Sequence, residues 1–105
     1  MGFTVNFALV ARPITPAEAI ADMRVDLAAL PAIEDANRSA LNGYLDLAAW
    51  SLGARRGPLA CTAMRSFGDL VANPSVMTYP DRLVYFVAQT RDVLRLTGCA
   101  PWRGP

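Results

Sequence analysis

The chain predicts a mainly α fold, a four-helix bundle-like domain with one N-terminal β-strand. Residues 3–10 alternate, with Phe3, Val5, Phe7 and Leu9 on one face and Thr4, Asn6, Ala8 and Val10 on the other, which is the two-residue period of a strand. After them, apolar residues recur at helical spacing in successive stretches that open or close on Pro, Gly or Asn. The 105 residues, 53% hydrophobic and 18% charged, suffice for a single domain (1–105) with its own core, and their composition is not that of a disordered chain.

The strand is expected to need a partner, because its backbone N–H and C=O groups have to be satisfied by a neighbouring strand. Within the chain, residues 75–79 lie between prolines and form a candidate short second strand. So short a mate would still leave one edge of residues 3–10 open, and an open edge seeks another molecule.

Thr15, Pro16 and Glu18 have the spacing of a capping box with proline at the first helical position, so a helix is expected to start there. Ile20, Met23, Leu27 and Leu30 give it an apolar face, and Pro31 closes it. Glu18, Asp22 and Asp26 form an acidic row, read as a solvated face that complements the helix dipole rather than as a cation site.

A second helix is expected from about residue 33 to 52, with Ile33, Ala36, Ala40, Leu41, Tyr44, Leu47, Ala48 and Ser51 along its inner stripe. Asp35, Arg38, Asn42 and Asp46 lie opposite, and Gly53 ends the helix. The small residues Ala36, Ala40 and Gly43 would let a neighbouring helix approach closely. Trp50 falls off the stripe, either as a partly covered edge residue or as the anchor of a contact surface.

Residues 54–58 form a loop, after which Leu59, Ala63, Phe67 and Leu70 face inward on a third helix that stops at Asn73 and Pro74. Pro80 and Asp81, with Thr78 as a cap, open the last helix, which ends at Gly98 and buries Leu83, Phe86, Val87, Thr90, Val93 and Leu94. Tyr85 and Leu96 interrupt its polar face, and Trp102 is expected to fold back on the bundle as a latch.

The chain contains no His, and all its basic residues are Arg, so the commonest general base and Schiff-base chemistry are missing. No nucleotide-binding or hydrolase motif is present, and no cofactor is implied. A net charge of +1 leaves no electrostatic footprint for nucleic acid. No apolar run is long enough to cross a bilayer, and without a leader or lipidation signal the expected location is cytoplasmic.

Cys61 and Cys99 lack metal-site spacing. Cys61 lies in the first turn of the third helix near Arg55, Arg56 and Arg65, a setting that lowers a thiol pKa, which makes it the one catalytic candidate. The same arginines are a candidate anion site.

These features favour a non-catalytic protein–protein interaction module over an enzyme: a homodimer, or a small regulatory accessory protein that docks on a larger target through its N-terminal strand edge. The candidate partner-binding residues are Phe3, Val5, Phe7, Leu9, Trp50 and Tyr85. The alternatives are a thiol-based enzyme or redox sensor using Cys61 and a helical bundle that holds a small ligand in its interior.

Overall fold

Thr15 opens the first helix of the structure, a computed structural model that describes residues 15–31 and 33–102. Its hydroxyl accepts the Glu18 N–H at 3.1 Å, and the Glu18 carboxylate accepts the Thr15 N–H at 3.0 Å, so the capping box forms as its spacing predicts. The helices in chain order are α1 (Pro16–Ala28), α2 (Asp35–Gly53), α3 (Gly57–Val71) and α4 (Pro80–Thr97). Each packs on its sequence neighbour, and α4 closes the ring against α1, while α1 and α3, like α2 and α4, stand diagonally apart. Short connections between antiparallel neighbours give this bundle topology.

The four helices share one core. Ile20, Met23 and Leu27 from α1 meet Leu41, Leu45 and Ala48 from α2, Met64, Phe67 and Val71 from α3, and Phe86, Val93 and Leu94 from α4. The Phe67 and Phe86 rings meet edge to face with centroids 6.2 Å apart, a favoured aromatic geometry. Two buried hydroxyls cost little here, since Ser51 donates to the Leu47 carbonyl at 2.7 Å and Thr90 to the Phe86 carbonyl at 2.8 Å.

Two sequence expectations differ from the structure. The second strand at 75–79 is not formed, and no strand occurs among the described residues. The Asn73 carboxamide oxygen accepts the Ser75 N–H, and the Asn73 carbonyl accepts both the Val76 and Met77 N–H groups, each at 2.9 Å. This turn uses up the donors a ladder would need and drives Val76 and Met77 into the core. On α2, Leu45 is buried, while Ala36, Ala40 and Leu47 of the expected inner stripe are exposed. That helix ends at Gly53 as the sequence suggests, and its closure is made just beyond. Arg55 takes the left-handed conformation (φ 59°), and the Arg56 N–H reaches the Ser51 carbonyl at 2.7 Å while the Arg55 N–H reaches that of Leu52, a Schellman closure on a non-glycine residue. The expected strand at 3–10, with Phe3, Val5, Phe7 and Leu9, lies outside the described residues.

Candidate interaction surface

The outer face of α2 carries a row left uncovered among the described residues. Ala36, Ala40, Gly43, Leu47, Trp50 and Ala54 follow one another in alternating steps of four and three residues, and all are exposed. That spacing is the apolar seam of a coiled coil. It lies roughly opposite Leu41, Leu45 and Ala48, which face the core. Trp50 is 57% and Leu47 39% exposed. The Arg56 guanidinium lies 5.6 Å from the Trp50 ring centroid, covering part of one face of the indole. The ends of the row differ in charge, with Glu34 and Asp35 at its start and Arg55 and Arg56 at its finish, all exposed.

Tyr85 sits in a different setting. It is half-buried, its ring meets Phe86 edge to face at 5.0 Å, and its hydroxyl donates to the Asp26 carboxylate on α1 while accepting from the Gln89 side chain at 3.3 Å. Burial, reinforced by the hydrogen bond to Asp26, raises its pKa above the ordinary 10.0, against a smaller lowering by Gln89. The polar end of the side chain is thus engaged within the bundle. Val84 beside it is exposed and lines a shallow groove of about 280 Å³ with Leu83, Val87, Ala88 and Arg91.

The candidate thiolate is not free. Cys61 and Cys99 form a disulfide with Cα atoms 5.7 Å apart, within the span such a bridge allows. The tail reaches it through Gly98, whose φ of 83° lets the Cys99 N–H return to the Leu94 carbonyl at 2.8 Å and the Gly98 N–H to that of Arg95 at 3.1 Å. A nucleophilic or sensing role for a Cys61 thiol is therefore withdrawn for this disulfide-bonded form, because the sulfur is already bonded. Nothing in the spacing of the two cysteines announces this pairing. It depends on α3 and α4 lying side by side.

Beyond the bridge, Trp102 folds onto α3 as the sequence suggests. Its indole N–H donates to Asp69 at 3.0 Å, and the Arg91 guanidinium lies 5.6 Å from its ring centroid. Gly68 makes the seat: a Cβ there would stand 2.6 Å from the Trp102 ring. Two arginines of the expected anion site serve separate partners. Arg65 donates to the Ala100 carbonyl at 3.2 Å and Arg56 stacks on Trp50. A groove of about 400 Å³ at the start of α3 is lined by Arg65, Thr62 and Ala100 but by neither Arg55 nor Arg56.

Among the described residues, no group of His, Cys, Asp or Glu is placed to hold a metal ion, and no helix is long and apolar enough to cross a membrane. Comparison with protein families, characterised proteins and solved structures found no match.

Proposed function

We propose that the chain is a non-catalytic protein–protein interaction module, acting as a homodimer or as a small regulatory protein on a larger target. The observation that carries this reading is the uncovered row on α2, where Trp50 and Leu47 remain exposed beside small residues. Aromatic anchors on an apolar strip are what interface centres are made of. The N-terminal edge at Phe3, Val5, Phe7 and Leu9 is proposed as a second contact element, on the strength of its alternation. The Cys61–Cys99 bridge favours an oxidising compartment over the cytoplasm, since such bonds are rare where thiols are kept reduced.

Light scattering coupled to sizing of the full chain tests self-association. The expected result is a mass above the 11.3 kDa of one chain, falling on dilution. A Phe7→Pro variant, in which proline removes a donor from the strand, is expected to lower the mass if the edge takes part. A mass that stays at one chain throughout the series removes the self-association reading.

A further inference from the structure

We infer that the partner is a second copy of this chain, docked antiparallel along the outer face of α2 about a two-fold axis at the level of Leu45. This rests on the interaction reading above and names its geometry.

The row is complementary to its own reverse. An antiparallel copy centred at Leu45 sets Ala36 opposite Ala54, Ala40 opposite Trp50 and Gly43 opposite Leu47. Each large side chain then meets a small one, knob into hole, and symmetry makes every such contact twice. The charged ends obey the same register. Along the axis, Glu34 and Asp35 of one copy come level with Arg56 and Arg55 of the other, so the acidic end of each helix lies beside the basic end of its neighbour. A parallel copy fails on both counts, since it sets Trp50 against Trp50, leaves a gap at Gly43 and places Glu34 and Asp35 beside their own like charges. Opposed helix dipoles also favour the antiparallel arrangement.

The left-handed turn at Arg55 holds the basic end at the finish of the helix. Among the described residues nothing lies within 4 Å of a Cβ built at Gly43, so the position is open to an approaching helix. A helix of 19 residues offers a seam about 28 Å long and about 10 Å wide. The footprint is about 280 Å² per copy and about 560 Å² for the pair, small for a specific interface, so the dimer is weak and reversible.

The test is sedimentation equilibrium of the full chain across the micromolar range, with matched variants. Gly43→Glu, which has room in the monomer, places a carboxylate against Leu47 of the second copy and should weaken dimerisation at least tenfold. Val84→Glu, on the exposed face of α4, should leave it unchanged. Asp35→Arg should weaken it several-fold, and adding Arg55→Asp should restore it, because Asp is among the residues that tolerate a positive φ. Circular dichroism confirms that each variant keeps its helices. A dimeric parent that ignores Gly43→Glu overturns this inference and leaves the interaction reading standing, and so does a dimer broken by Val84→Glu or Phe7→Pro alone. A parent that stays monomeric overturns the inference together with self-association.

Discussion

Tyr85 shows how one side chain can change role between sequence and structure. Its position on the outer half of α4 makes it a candidate contact residue, but α1 lies close enough for Asp26 to receive its hydroxyl, and the pair ties the closing helices of the ring together. Burial and the neighbouring carboxylate both favour the neutral phenol, so the folded pKa lies above the ordinary 10.0. The sign of the linkage follows from this. A group that holds its proton more tightly when folded contributes its stability in full below the unfolded pKa and loses it as pH rises through the folded one. Unfolding by urea, repeated at alkaline pH, is therefore expected to show the parent losing stability above pH 10 more steeply than a Tyr85→Phe variant. At neutral pH the variant should be weaker by about 1 kcal/mol, the worth of one hydrogen bond.

At the scale of elements, what was legible was mostly helix starts and stops. Thr15 with Glu18, Pro80 and Gly98 each mark a boundary through local backbone chemistry, which a sequence carries in full. The second helix was harder, because it bears two apolar rows. Leu41, Leu45, Ala48 and Leu52 recur at helical spacing as well as Ala36, Ala40, Leu47 and Trp50 do, and only the positions of α1 and α3 decide which row turns inward. Residues 75–79 misled for a related reason: their strand-like composition reflects burial of Val76 and Met77, while Asn73 supplies the turn.

Arg38 lies opposite the expected inner stripe by periodicity. Periodicity gives the direction of a side chain but not what a long one can reach, and Arg38 reaches the Leu27 and Leu30 carbonyls at the end of α1. That helix has no basic residue in its last turn, so Arg38 supplies from α2 the positive charge its C-terminus lacks. Arg38→Ala should cost about 1.5–3 kcal/mol, as expected for hydrogen bonds from a charged group, read as a lower urea midpoint at unchanged slope. Arg38→Lys should recover only part of it, since an ammonium lacks the planar fork that serves two carbonyls at once.

For the molecule as a whole, the arrangement of the ring separates what stabilises the fold from what we propose it uses. The Cys61–Cys99 bridge ties α3 to the chain leaving α4, with a sequence separation of 38. Chain-entropy reasoning puts the worth of closing such a loop at about 4 kcal/mol, and measured bridges commonly give about 2–4. For a domain whose total stability is on the order of 5–15 kcal/mol, that is a large share. Reduction, or a Cys61→Ser and Cys99→Ser double variant, should therefore lower the unfolding free energy by about 2–4 kcal/mol, read as a lower urea midpoint, while the helices persist, because the core built on Phe67, Phe86 and Leu41 contains far more than the bridge. Trp102 should stay seated, since Asp69, Gly68 and Arg91 hold it independently of the sulfurs. Its emission is then expected to keep its wavelength after reduction in a Trp50→Phe background. The bridge joins α3 to the chain leaving α4 and involves no residue of the seam on α2. Below the unfolding transition, reduction should accordingly leave the dimerisation constant of the otherwise unaltered chain unchanged. A dimer that dissociates when the bridge is cut, with its helices intact, would place the contact at the α3–α4 end instead.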